Sequence, residues 1–238
     1  MNKFLGKLYL IPTFLSRENK DEVSLFNLKT IYDLQNYIVE NEKSARRYLK
    51  IIEHPLPQNN FKFELLNEHD KLNNVEQYLE PIFNGENIGL MSDCGCPAVA
   101  DPGNIVVKAA HDFGIKVIPL IGGNAILLAL MASGLNGQSF AFNGYLPIEK
   151  SNKNKAIHGF ESHSKKNNQT QIFIETPYRN VNLFNDLKQQ LNNETLLCIA
   201  FDINGEHEYI LTQSIKDWKK MDTPDFHKKP CVFLFLAK

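Results

Sequence analysis

Residues 87–103 read Asn-Ile-Gly-Leu-Met-Ser-Asp-Cys-Gly-Cys-Pro-Ala-Val-Ala-Asp-Pro-Gly. An apolar run ends there in two aspartates (Asp93, Asp101), two prolines (Pro97, Pro102) and two glycines (Gly95, Gly103), and a helix is expected from Asn104. In α/β sheets, ligands bind beyond the carboxyl ends of strands, where loops present peptide groups. Gly95 lets the main chain approach a bound molecule closely, and the prolines stiffen the loop. The plain alternative is a tight strand-to-helix connection with Asp101 near the helix start, but a turn alone rarely needs so many special residues. A second junction, Ile118-Pro-Leu-Ile-Gly-Gly-Asn-Ala125, again runs from strand through glycines into a helix. Amide groups at such a helix start bind a carboxylate or an adenine edge; a Gly-Gly turn with an Asn cap is equally a purely structural feature. The end of the first strand, Leu10-Ile-Pro-Thr13, lacks the glycine fingerprint of dinucleotide-binding folds, and neither a Walker sequence nor His-Glu-x-x-His occurs. Cys94-x-Cys96 has no second pair at zinc-ligand spacing, so no metal is expected.

Elements that could position these loops follow from hydrophobic patterning. Strands are expected at 7–11, 36–39, 61–66, 87–92, 115–120, 140–145, 171–175, 196–201, 209–212 and 231–236. Helices are expected at 45–52, 73–83, 105–113, 125–133 and 181–191, with an exposed helix and loop in the Lys/Asn/Ser-rich stretch 149–170. Gly114 and Gly134 punctuate helix ends. Strand and helix alternate, which implies an α/β protein with largely parallel sheets covered by helices. About ten strands exceed one compact sheet, so two sheets of about five fit better. The expected domains are 1–121 and 122–238.

A chain of 238 residues can bury one large or two small cores. Hydrophobic residues at 43% and charged residues at 22% exclude global disorder. A net charge of -1 gives no whole-molecule pull toward nucleic acid or acidic lipid, so an anionic partner must meet a local patch. The apolar N-terminal run ending at Pro12 is too short to span a membrane. The four cysteines do not form a disulfide framework. A cytoplasmic protein without membrane or metal partners is expected.

These segments together resemble the tetrapyrrole methylase superfamily, and within it the bacterial 16S ribosomal RNA cytidine 2′-O-methyltransferase branch. The resemblance runs from about Lys7 to the C-terminus. The branch pattern Ser-Asp-Ala-Gly-Thr-Pro-x-x-x-Asp-Pro-Gly stands here as Ser92-Asp93-Cys94-Gly95-Cys96-Pro97-Ala98-Val99-Ala100-Asp101-Pro102-Gly103. Its Pro-Gly-Pro-Ser-Ala turn corresponds to Ile121-Gly122-Gly123-Asn124-Ala125, and its Ala-Ser-Gly-Leu is intact at 132–135. Gly144-Tyr145-Leu146-Pro147 and Glu175-Thr176-Pro177-Tyr178-Arg179 match two further segments. The resemblance implies two α/β domains with mainly parallel sheets facing a deep cleft, and a homodimer. It implies S-adenosylmethionine as cofactor, held largely by main-chain groups at Pro12, Asp93, Gly95, Cys96, Pro97, Val99, Asn124, Ala125, Ala200 and Pro230. Two departures stand out. Asn41 and Glu42 replace the Asp and Thr of Glu-Asp-Thr after the second strand, and Phe201 and Gly205 replace Arg and Lys of Arg-Glu-Leu-Thr-Lys.

Methyl transfer from a sulfonium is an in-line displacement, in which the protein aligns the acceptor and removes its proton. The candidates for that base are Glu40, Asp93, Glu68 and His69. Glu68-His69-Asp70 resembles a Glu-His-Asn of the family, while Glu40 and Glu42 could equally be acidic residues at a helix start. Lys43, Arg46, Arg47 and Lys50 recur at helical spacing and share roughly one face. Arg46, Arg47 and Arg179 are therefore candidate contacts for an anionic substrate, with a solvated helix face as the bland alternative. Three functions remain: an RNA ribose 2′-O-methyltransferase acting on RNA or a ribosomal subunit, a methyltransferase of a small tetrapyrrole-like molecule, and a non-catalytic S-adenosylmethionine-binding protein.

Overall fold

Short strands with apolar side chains on both faces must be covered on both sides, and the chain solves this twice. The computed structural model describes residues 5–16, 18–66 and 72–238. It divides into two units, Met1–Asn124 and Ala125–Lys238, each built on one five-stranded sheet.

The first unit runs β1 (Lys7–Ile11), α1 (Leu25–Tyr32), β2 (Asn36–Val39), α2 (Glu42–Ile51), β3 (Lys62–Leu65), α3 (Glu80–Phe83), β4 (Ile88–Met91), α4 (Asn104–Asp112) and β5 (Lys116–Pro119). Its sheet has the order β3-β2-β4-β1-β5, and every pair is parallel. Successive residues alternate between two cores: Leu8, Ile38, Ile88 and Leu90 pack on one face, and Ile11, Tyr37, Val39 and Met91 on the other. Gly89 sits in the central strand because a Cβ there would lie 2.6 Å from Ile11 Cδ1 and 2.9 Å from Tyr37 Cδ1.

The second unit runs α5 (Ala125–Ser133), β6 (Phe140–Phe142), α6 (Lys150–Asn167), β7 (Thr170–Ile174), α7 (Asn180–Gln190), β8 (Leu196–Phe201), β9 (Tyr209–Ser214), α8 (Ile215–Trp218) and β10 (Cys231–Leu236). The sheet order is β6-β7-β10-β8-β9. Phe173, Phe233 and Phe235 pack with Phe184 of α7 and Trp218 of α8 on one face; Cys198, Ala200, Val232 and Leu234 pack with α5 on the other.

The expectation of parallel sheets holds in the first unit and needs correction in the second. Only β6 and β7 are parallel there, while β7-β10, β10-β8 and β8-β9 are antiparallel. The loop 202–208 between β8 and β9 is shorter than the dozen or so residues a parallel crossover needs, which forces a hairpin. One helical expectation also changes, and one helix is added. The segment expected as one helix at 73–83 is a 3-10 helix over Leu72–Leu79 followed by α3, because Pro81 has no N–H for a continuing helix and fits only the first turn. Helix α1 was not legible because Leu25 and Phe26, its first apolar residues, are exposed; Ser24 caps it by accepting from Asn27 N (3.1 Å).

Phe184 meets Trp218 edge-on at 5.3 Å and Phe226 at 5.8 Å, all three fully buried. Phe184→Ala should lower the stability of the second unit by about 3–5 kcal/mol. Urea unfolding followed by the fluorescence of Trp218, the single tryptophan, measures it; a shift under about 1 kcal/mol would mean the cluster is not close-packed.

Candidate active site

An all-parallel sheet sends the carboxyl ends of all its strands to one edge. In the first unit the segments after β1, β2, β4 and β5 therefore meet there, and hydrogen bonds join them. Thr13 N donates to Gly95 O (2.9 Å) and Thr13 Oγ1 to Ser92 O (3.2 Å), tying the end of β1 to the loop after β4. Ser92 Oγ lies 3.2 Å from Gly95 O, closing that loop on itself. Cys96 Sγ contacts Gly123 O (3.4 Å) and Cys94 Sγ contacts Leu15 O (3.4 Å). Asn27 Nδ2 holds Ile121 O at 2.6 Å. Thr13, Ser92 and Asn27 are all buried, and the sequence reading missed all three. They lie in or beside segments it singled out, but a threonine, serine or asparagine at an element end has too many ordinary roles to be noticed.

The loop after β4 holds an unusual backbone. Gly95, Ala98 and Ala100 have φ of 76°, 64° and 60°, two of them without the freedom of glycine. Asp101 makes this conformation: its Oδ1 accepts from Ala98 N (2.8 Å) and Gly103 N (2.6 Å). Asp101 thus organises the turn, while Gly103 occupies the N-cap of α4 without a side-chain cap. A Cβ on Gly95 would lie 3.2 Å from Leu15 Cδ2, and one on Gly122 would lie 2.3 Å from Pro12 Cβ. Pro12 and Pro97 are buried, whereas Asp93 and Val99 are exposed and Cys96 is half-buried.

The two acidic residues beyond β2 separate cleanly. Glu42 pairs with Arg46 at 2.7 Å within α2, and Asn41 caps that helix by accepting from Lys43 N (2.9 Å) and Ser44 N (3.3 Å). Glu40 instead reaches the loop after β4 and accepts from Asp93 N (3.3 Å). Burial, then the charge of Asp101 and that of Asp93, push the Glu40 carboxyl up to about 7, against the lowering effect of the Asp93 N–H. Desolvation and Asp93 also push the Cys94 thiol up, which suits a packing role better than a nucleophile. None of the ion pairs among the described residues uses Glu40, Asp93 or Asp101. An acidic edge that makes no ion pair among the described residues, built on glycines and strained peptide units, suits a cationic ligand such as a sulfonium or ammonium held by main-chain groups. Among the described residues no group of three or more His, Cys, Asp and Glu could hold a metal ion.

The arginines are less available than their spacing suggests. Arg46 bonds Glu42 Oε1 and Gln58 O (2.6 Å) and lies 4.6 Å over the Phe63 ring. Arg47, largely exposed, pairs with Glu18. The two therefore diverge and do not form one cationic face. Glu68 and His69 lie outside the described residues.

Asn124 ends the first unit. In the second, Ala125 opens α5, and Ala200 is wholly buried in β8 opposite Ile210 and Val232. Pro230 directly precedes β10, and its carbonyl accepts from Asp202 N (3.4 Å). Arg179 closes its own turn, donating to Glu175 Oε1 from Nη2 (2.7 Å) and Nε (3.0 Å).

No family model matches the chain. It is 32% identical over 211 residues to ribosomal RNA small subunit methyltransferase I of Bacillus subtilis, covering 89% of this chain and 64% of that protein. The chain thus spans slightly under two thirds of that relative's length. It is 31% identical to the Halalkalibacterium halodurans protein of the same name (89% of this chain, 69% of that one) and 30% identical to that of Buchnera aphidicola (92% and 76%). Among solved structures, diphthine synthase aligns with a TM-score of 0.67 at 15% identity, covering 97% of this chain and 89% of that one. The methyltransferase CobJ aligns at 0.63 and 15% identity (98% and 94%), and the cobalt precorrin-4 methyltransferase CbiF at 0.60 and 13% (97% and 94%). These likenesses give the fold, that of the tetrapyrrole methylases. On the sequence identities, the chain belongs to the ribosomal RNA small subunit methyltransferase I family.

Proposed function

We propose that the chain transfers a methyl group from S-adenosylmethionine to a ribose 2′-hydroxyl of small-subunit ribosomal RNA. The observation that carries the reading is the joined edge of the first sheet, where Glu40, with a carboxyl near pKa 7, meets the Asp93–Val99 loop. Three relatives bearing the same name support the substrate class. A small tetrapyrrole-like acceptor has only the fold likeness, at 13–15% identity, behind it.

Pro12, Asp93, Gly95, Cys96, Pro97, Val99 and Asn124 hold the cofactor in this reading; the roles of Ala125, Ala200 and Pro230 rest on the sequence resemblance alone. When bound, S-adenosylmethionine supplies an electrophilic methyl carbon on a good leaving group. Asp93 and Glu40 offset its positive charge. One Glu40 oxygen is oriented by the Asp93 N–H, and the other takes the proton of the attacking hydroxyl. Asp93 is the second candidate for that base. Arg47, the most exposed of the named arginines of α2, meets the RNA backbone in exchange for Glu18. Arg46 and Arg179 act mainly by holding their own segments. A homodimer in the cytoplasm is the proposed setting. It is supported by the resemblance, by relatives that modify ribosomal RNA, and by the exposed apolar Leu127 and Met131 on α5. Among the described residues no helix is long and apolar enough to cross a membrane.

Gly95→Val imposes a strained φ and presses on Leu15 and the Gly123 carbonyl. The strain of about 1–3 kcal/mol should cut affinity for S-adenosylmethionine by about tenfold or more, read by calorimetry. Unchanged affinity would place the cofactor elsewhere.

Glu40 accepts a proton only when ionised. The wild-type kcat/KM for ribosomal subunits should therefore climb about tenfold per pH unit below pH 7 and level off above it. Glu40→Gln should lower the plateau roughly 10²- to 10⁴-fold and abolish that inflection. If the inflection persists in the variant, the base is another group.

A further inference from the structure

Helix α6 carries charge that the fold of the second unit does not use. Its sequence includes five lysines and one glutamate. Lys153 pairs with Asp186 of α7 at 2.9 Å, both mostly buried, and so belongs to the packing of the two helices. Glu161 is turned to the loop before β8, where it accepts from Asn192 N (2.7 Å) and Thr195 Oγ1 (2.5 Å). Lys150, Lys155, Lys165 and Lys166 are exposed and make no ion pair among the described residues.

Three of these four share a face. At about 100° per residue, Lys155, His158, Ser162, Lys165 and Lys166 fall within roughly a third of the helix circumference, and Lys155 and Lys166 stand about 16 Å apart along the axis. Gly159 lies between those two lysines on the same stripe. A glycine inside a helix costs stability, and a Cβ there would meet nothing within 4 Å, so the packing of the unit does not ask for it. Gly159 and His163 also form the helix side of a groove of about 460 Å³, whose other side is the sheet edge at Ala141, Asn143 and Gln171. The amides there are chained, Asn143 Nδ2 donating to Gln171 Oε1 (2.9 Å) and Gln171 Nε2 to Gln169 Oε1 (3.0 Å), and among the described residues no carboxylate lines the groove. Lysines without partners, a glycine that opens the surface between them and a neutral polar groove alongside suit a phosphodiester chain. A lipid surface suits them less. An interfacial helix needs an exposed apolar face, and Ala156, Ile157 and Phe160 of α6 pack on the core of the unit.

We infer that the outer face of α6 docks the phosphate backbone of the RNA, with Lys155, Lys165 and Lys166 as its phosphate contacts and Gly159 as the point of closest approach. The inference rests on the RNA-methylating function proposed above. None of the residues given a cofactor or base role lies on this helix. Contacts of this kind position a nucleic acid without reading its sequence. They supply the free cations that Arg46, Arg47 and Arg179, each already paired, do not.

The test uses the full chain and a fluorescent twenty-nucleotide RNA of mixed sequence. Anisotropy reads RNA affinity between about 50 and 200 mM salt, and calorimetry separately reads affinity for S-adenosylmethionine. The triple variant Lys155→Gln, Lys165→Gln, Lys166→Gln should bind RNA at least about tenfold more weakly and flatten the slope of log affinity against log salt by about 2, the value for three lost phosphate contacts. Gly159→Leu, which keeps every charge and favours the helix, should weaken binding at least about threefold with the slope unchanged. A control that removes as many exposed lysines from the first unit, Lys29→Gln, Lys108→Gln, Lys116→Gln, should stay within about twofold of wild type. Cofactor affinity should be the same in all four proteins. Wild-type slope and affinity in both α6 variants overturn the docking face alone, as does an equal loss in the control. Binding to phosphatidylserine vesicles that vanishes in the triple variant, with RNA binding unchanged, overturns RNA as the occupant of this face. A wild-type protein that binds S-adenosylmethionine but no RNA overturns the RNA reading as well.

Discussion

Parallel strand pairing is the constraint on which the first unit depends. Five strands running the same way leave all their carboxyl ends on one edge. There the last carbonyl and amide groups run out of sheet partners. The chain answers with cross-loop bonds: Thr13 N to Gly95 O, Asp93 N to Glu40, and Asn27 to the Ile121 carbonyl. A frame of backbone groups results, tied together by the side chains of Thr13, Asn27, Glu40 and Ser92. The second unit works differently. Its mixed sheet is held by the stacked pair Phe173 and Phe235 and the edge-on pair Phe184 and Trp218, and its loops close on themselves, as Glu175 and Arg179 do.

Electrostatics then sorts the polar residues of the first unit. Carboxylates that find a nearby cation, such as Glu42 with Arg46 and Glu18 with Arg47, secure the ends of α2 and the segment after β1. Glu40, Asp93 and Asp101, which make no ion pair among the described residues, gather at the sheet edge. Burial, then mutual repulsion, raises the proton affinity of Glu40. Helix α2 needs neither Glu40 nor an aspartate at position 41, because Asn41 supplies the cap. The departure from the family pattern at this position is therefore structurally absorbed.

Much of this was legible from residue order. The ten strands follow from apolar runs of four to six residues bounded by Gly, Pro and Asn, and the two strand–glycine–helix junctions reveal where the loops converge. Strand direction in the second unit was also within reach, since the segment 202–208 holds no room for a crossover, but alternation of strands and helices elsewhere masked it. Contacts made at long range were not legible. Nothing in the spacing of Glu40 and Glu42 says which turns toward Asp93, and nothing near Arg46 says that Phe63 and the Gln58 carbonyl will claim it. Such choices are made by tertiary packing, to which local periodicity is blind.

The internal pairing of Arg46, Arg47 and Arg179 limits what these three side chains offer to a polyanion. A phosphodiester reaching any of them must displace a carboxylate already in place, so each contact is an exchange of partners with little net gain. Few counterions are released when charge is swapped in this way, so contacts at these three arginines add little salt-dependent attraction.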